Sequence, residues 1–202
     1  MAAAVRRMIR QATRHVTPAF TLNQVGGYAL EKAQRTEEGS LLEITTVLLM
    51  CPLTLEAVLN QVGHKLFVED DHDPQRWAEV ERFSPRDKIK AIAKRLGVKV
   101  DLGRKPFNVF MQMFDFRIDL AHAKSMKLTV TDVPAGTLDD NPGLADIPGL
   151  QASWETRCNL ATAIRWREAT AEMSQFLCTA ADVGNPLIGG YTTTWSADFV
   201  DD

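Results

Sequence analysis

At the head of three periodic apolar stretches a residue that caps helices stands directly before a proline: Thr17-Pro18, Asp73-Pro74 and Ser84-Pro85. The side-chain oxygen of the first residue can accept from a free N–H of the first turn. Proline at the first helical position gives up an N–H that has no partner there. Each pair therefore marks a helix start. Apolar residues recur at helical spacing after each pair, and prolines and glycines collect between the periodic stretches. This punctuation predicts an all-α fold, an up-and-down bundle of about five or six helices.

The first helix is expected from Pro18 to about Arg35, with Phe20, Leu22, Val25, Ala29, Leu30 and Ala33 inward. Gly26-Gly27 either weakens it or lets a neighbour come close. Ser40 and Glu43 have the form of a capping box and open a second helix. Pro52 predicts a kink or very short break, after which the helix continues to about Phe67. A short helix follows Asp73-Pro74, through about Arg82. Another runs from Pro85 to Leu96, stopped by Gly97, with Ile89, Ile92, Ala93 and Leu96 inward. The stretch from Pro106 to Lys127 reads as an amphipathic helix with Phe107, Phe110, Met111, Phe114, Ile118 and Ala121 on one side. Gln151 to about Ala181 contains no proline or glycine and reads as a long closing helix, with Trp154, Cys158, Ala161, Ala169, Met173, Phe176 and Ala180 sharing a face. Residues 128–150 are rich in proline and glycine and predict a long irregular loop, with a short strand at 129–131. The expected organisation is a basic arm of weak helical character at 1–16, a helical domain at 17–181 and a flexible tail at 182–202.

The formal net charge of −3 argues against a protein that coats nucleic acid, though not against a local basic patch. No window approaches the roughly 20 apolar residues of a membrane span, so a cytoplasmic location with no membrane partner is expected. The first thirty residues hold Arg6, Arg7, Arg10 and Arg14 and no acid. Their shortness and lack of serine favour a frayed arm over a transit peptide. Cys51, Cys158 and Cys178 are odd in number and far apart, which suits buried free thiols rather than disulfides or a zinc site. His64 and His72 match no ligand spacing, so neither a metal nor another cofactor is expected.

Arg117, Asp119 and His122 stand near the end of the apolar run after Pro106. The bare RxxxxH pattern is weak evidence, because Arg10 to His15 also satisfies it. Only the match at 117–122 lies on a helix that packing would hold. Arg86, Lys88, Lys90, Lys94, Arg95, Lys99, Arg104 and Lys105 precede it, opposed only by Asp87 and Asp101. Of these, Lys94, Arg95, Arg104 and Lys105, with Lys124 and Lys127 beyond the motif, are the candidate phosphate-binding residues. Lys88 and Lys90 taken singly fit a solvated helix face as well. Glu56 and Asn60 are one turn apart and could support the motif helix.

These residues resemble the HEPN domain, an all-α module whose signature is an arginine, a small polar residue two positions on, and a histidine four to six after the arginine. Arg117, Asp119 and His122 match those positions. Leu53 to Asn60 resembles the long helix of such domains. Trp77 to Gly97, with Ser84-Pro85 and Lys88, resembles the segment between that helix and the motif helix. The likeness spans roughly residues 20–180. Two departures stand out: aspartate replaces the commoner asparagine at position 119, and Lys124 stands where antitoxin-paired members have a tyrosine.

The resemblance implies a metal-independent endoribonuclease of stress or phage defence, such as a toxin, that leaves a 2′,3′-cyclic phosphate. RNA brings its own nucleophile, the 2′-OH. An imidazole moves protons near neutral pH, which suits His122. Arg117 can contact phosphoryl oxygens in a bidentate manner. Asp119 could orient the imidazole or favour its protonated form. Arg117 and His122 lie about 140° apart around an ideal helix, so the family's expected homodimer, with two motif helices face to face, would complete the site. RNA is the expected partner, with an antitoxin or other regulatory protein as a further candidate. The alternative is a HEPN module without activity that binds RNA or a protein. The plainest reading has His122 closing a helix end and Arg117 paired with Asp115 or Glu56, with nothing cleaved.

Overall fold

The computed structural model describes residues 7–15, 18–35, 40–122, 127, 129, 151–188 and 192–200, the two terminal stretches as backbone. The helical body is an all-α bundle of six α-helices: α1 (Pro18–Arg35), α2 (Ser40–His64), α3 (Pro74–Val80), α4 (Pro85–Leu96), α5 (Phe107–Ala121) and α6 (Leu160–Ala180). Two of the three cap–proline pairs act as the sequence predicts. The Asp73 carboxylate accepts from Arg76 N–H at 2.9 Å and the Ser84 hydroxyl from Asp87 N–H at 3.2 Å, and proline follows in both. Gly97 closes α4 in the left-handed region, at φ 67°, where a side chain is disfavoured. Thr17, Lys124, the strand expected at 129–131 and most of the loop expected at 128–150 lie outside the described residues.

The centre of the bundle is α2, which touches all five other helices. It is continuous through Pro52, without the very short break that the proline could have made, and continues as one and a half turns of π-helix, Lys65–Asp70. Its neighbours hold it through the proline: Val47, Leu48, Cys51, Leu55, Val58, Leu59 and Val62 are all buried. Ser40–Asp70 is thus long and apolar enough to cross a membrane by length and composition, contrary to the sequence reading. In this fold its apolar residues supply the core that the other helices cover.

Three helix faces agree with those expected in part: Leu22, Ala29, Leu30 and Ala33 of α1, Phe107, Phe110, Met111 and Phe114 of α5, and Ala169 and Met173 of α6 pack into or against the core. On α1 the buried residues are Ala19, Gly26 and Ala33, while Val25 is exposed. Small residues let α1 lie close to α2, and a Cβ on Gly26 would stand 3.1 Å from Met50 Cβ. On α5 the buried set is Phe107, Val109, Phe110, Met113, Phe114 and Phe116, with Ile118 and Ala121 outside. The helix at 151–181 starts late: Glu155–Arg157 is a 3₁₀ turn, and Asn159 caps α6 by accepting from Thr162 N–H at 2.8 Å. Trp166, Ala169, Met173 and Leu177 then face inward, while Ala161, Phe176 and Ala180 do not. Phe116 meets Trp166 edge to face at 5.5 Å between ring centres, which joins α5 to α6.

The terminal segments also differ from expectation. Residues Arg7–His15 form a strand, β1, rather than a weakly helical arm. They pair antiparallel with β2, Thr192–Val200, in a register from Arg7 opposite Val200 to His15 opposite Thr192. Three threonines and a tryptophan open β2, residue types suited to a pleated surface. All three cysteines are free. Burial pushes the Cys51 and Cys178 thiols up to about 11 and raises Cys158 as well.

Candidate active site

α5 is held on its buried side by α2 and α6, and its polar end carries the motif. The helix stops at Ala121, six residues earlier than expected, and His122 is its C-cap residue. The His122 backbone N–H donates to Ile118 C=O at 3.0 Å. Its imidazole is exposed and makes no hydrogen bond or ion pair with another described residue.

Arg117 lies on the side facing α2, where its Nη1 donates to Glu56 Oε2 at 2.8 Å. Both side chains keep about a third of their surface in water. Behind this pair lies Lys88, 2% exposed, whose Nζ donates to Asn60 Oδ1 at 2.8 Å. Glu56 and Asn60 are one turn apart on α2 and take one cation each. Glu56 therefore supports the motif helix directly, and Asn60 supports α4 instead. Burial holds Lys88 below the usual lysine range; Glu56 and Glu81 oppose that shift, and Arg117 adds to it. Lys88 is thus part of the structure under the motif rather than a member of a solvated face. Its burial is the signal that sequence reading missed. It sits at i−1 to Ile89 and i−4 to Ile92, on the margin of the apolar stripe of α4.

The direction of the Lys88 shift gives a pH prediction. Unfolded, the amine titrates near 10.5; folded, it does so lower. Between those two values the unfolded chain binds more protons, so stability rises with pH through that window and is lost as pH falls. Lys88→Met should flatten this rise relative to wild type in urea melts from pH 8 to 10.5. Parallel curves for the two proteins would contradict it.

Asp119 does not meet His122. Its Oδ2 accepts from Arg157 Nη2 of the 3₁₀ turn at 2.8 Å, so orientation of the imidazole by Asp119 is not what this geometry provides. The basic residues expected to bind phosphate are divided. Arg95 pairs with Asp71 through two contacts, which lower the Asp71 carboxyl and raise the guanidinium. Arg104 lies 3.5 Å from Asp101. Lys94, Lys105 and Lys127 are exposed.

No family model, curated protein or solved structure matches this chain.

The exposed arc of α5 runs from Arg117 across Ala121 and Ile118 to His122. Ile118, 53% exposed, is an apolar residue set between the two reactive groups. A face of this composition has a proton-transfer group at one edge, a cation at the other and a hydrophobic strip between them.

Proposed function

We propose that this protein is a HEPN-type, metal-independent endoribonuclease whose site is completed by a second copy of the chain. The observation that carries the reading is the exposed His122 imidazole, without a partner among the described residues, fixed by a backbone cap at the end of a well-packed helix and separated from Arg117 by exposed Ile118. In a dimer formed over that strip, Arg117 of one chain faces His122 of the other. His122 takes the proton from the RNA 2′-OH, and the oxygen attacks the adjacent phosphorus. Arg117 balances the charge that gathers on the phosphoryl oxygens. The P–O5′ bond breaks and the 5′-oxygen leaves as a hydroxyl, taking its proton from solvent, which leaves a 2′,3′-cyclic phosphate on the upstream fragment. Glu56 holds Arg117 in place until phosphate competes for it. Such an enzyme acts on RNA in the cytoplasm, in stress or phage defence.

Mixing variants tests the two-chain site. Arg117→Ala and His122→Ala should each be inactive alone. Co-expressed, half of the dimers are mixed and each carries one intact site of two, so about a quarter of wild-type cleavage should return. EDTA should leave cleavage unchanged, and DNA of the same sequence should stay intact. No recovery in verified mixed dimers would rule out the composite site.

A second reading has support from one observation. Both charged side chains of the motif other than His122 are occupied by ion pairs, Arg117 with Glu56 and Asp119 with Arg157. A HEPN module that binds RNA or a protein without cutting would use them so. Wild-type protein that binds RNA without producing cyclic-phosphate ends favours this second reading.

A further inference from the structure

A groove of about 300 Å³ opens between α5 and the start of α6. Gln112 and Asp115 line it from α5, and Thr156, Arg157, Thr162 and Arg165 from the other side. The buried Trp166 lies beneath them. On α5, Gln112, Asp115, Asp119 and His122 follow one another at spacings of three, four and three, which keeps them on one side of the helix. Asp119 binds Arg157, itself a lining residue. The groove therefore runs along the same side of α5 that ends in His122. Arg117 points away from it, toward Glu56.

Among the described residues that line the groove, the cations are Arg157 and Arg165. Arg165 is exposed and spends one N–H on Gln112 Oε1 at 3.2 Å. Arg157 spends one on Asp119. A guanidinium carries five N–H donors in a fixed fork, so both keep donors for an anion. The lining sets two cations against Asp115, and Asp119 beside it is the second counter-ion, so the groove gains positive charge when Arg157 releases Asp119. Neither Arg157 nor Arg165 belongs to the basic stretch before α5.

We propose that this groove is a phosphate subsite for single-stranded RNA, in which Arg157 and Arg165 hold a phosphodiester next to the one that reacts at His122. The inference rests on the ribonuclease reading and gives that site a substrate path: the strand lies along α5, from Gln112 toward the helix end. Asp119 is the counter-ion that Arg157 exchanges for phosphate as the strand enters. Contacts of this kind recognise the backbone and not the base, so a deoxy strand is bound in the groove as well, without being cut.

The test separates binding from cutting. A fluorescein-labelled single-stranded deoxyoligonucleotide is titrated against the full chain by anisotropy at two salt concentrations. Arg165→Ala should weaken binding about 5- to 10-fold and reduce the salt slope by about 0.7. It should leave the melting temperature unchanged, because the side chain is exposed. Arg157→Gln should weaken binding similarly. With RNA as substrate, both should raise KM. Wild-type affinity and salt slope in both folded variants would overturn the groove while leaving cleavage by wild type standing. Weakened binding in a protein that cuts no RNA would support the groove and refute the ribonuclease reading. An oligonucleotide that wild type does not bind would overturn the groove outright.

Discussion

His122→Ala should lower RNA cleavage by at least about 10²-fold, the usual contribution of a positioned proton-transfer group, with no change in melting temperature. The two halves of this expectation have separate causes. The imidazole is exposed and has no bonding partner among the described residues, so its removal breaks no packing. The contacts of its N–H, with Ile118 C=O and Leu120 C=O, belong to the backbone and survive in alanine. Loss of activity in a protein of unaltered stability would therefore report chemistry alone. Arg117→Ala should behave differently. It frees the Glu56 carboxylate beside Lys88, so both activity and stability should fall. Gel assay of a labelled RNA, read with thermal melts of the same samples, decides the matter. Cleavage by His122→Ala at the wild-type rate would end the catalytic proposal.

Gly63→Ala should be among the most destabilising of single-methyl additions to this protein. A Cβ at Gly63 would stand 2.1 Å from Trp77 Cζ3 and 2.4 Å from Cη2. Trp77 is buried and stacks on Phe67, with 6.1 Å between ring centres and planes 19° apart, so the ring has no free direction in which to turn. The methyl must push α3 away from α2. Overpacking of this kind costs about 1–3 kcal/mol, and here a rigid ring places it at the upper end. Alanine is a better helix former than glycine by about 1 kcal/mol, which offsets part of the loss. A net destabilisation of about 2 kcal/mol corresponds to a fall of about 4–8 °C at this chain length. Trp77→Leu beside Gly63→Ala should recover part of it, because the two effects share one contact. A Gly63→Ala protein that melts with wild type would show that α3 yields freely.

The sequence placed helix starts well where the signal is local. Asp73, Ser84 and Gly97 act on backbone groups within one turn, and a single chain segment contains all the atoms involved. Asn159 carried the same signal at the start of α6 and was passed over, which shifted the inward face of that helix and hid Trp166. Pro52 does not break α2. Its missing hydrogen bond is a local penalty, which the packing of the buried residues around it outweighs. The end of α5 at Ala121 has no glycine or proline to announce it. The β1–β2 ribbon joins segments near opposite ends of the chain, beyond the reach of any local pattern.

For the candidate site the division is the same. The residue types came from the sequence: an arginine, an aspartate and a histidine near one helix end, with Glu56 as a candidate partner for Arg117. Their spacing alone put Arg117 and His122 on different sides of α5, because 3.6 residues per turn is a property of the backbone. Which neighbour each side chain meets depended on how the helices rotate against one another in the packed core. Only the tertiary structure turned Asp119 toward Arg157, buried Lys88 against Asn60, and opened a groove lined by Arg165 along α5. These contacts link residues 28 to 61 positions apart. Their geometry is fixed by the fit of side chains between helices, which the order of residues along one helix does not contain.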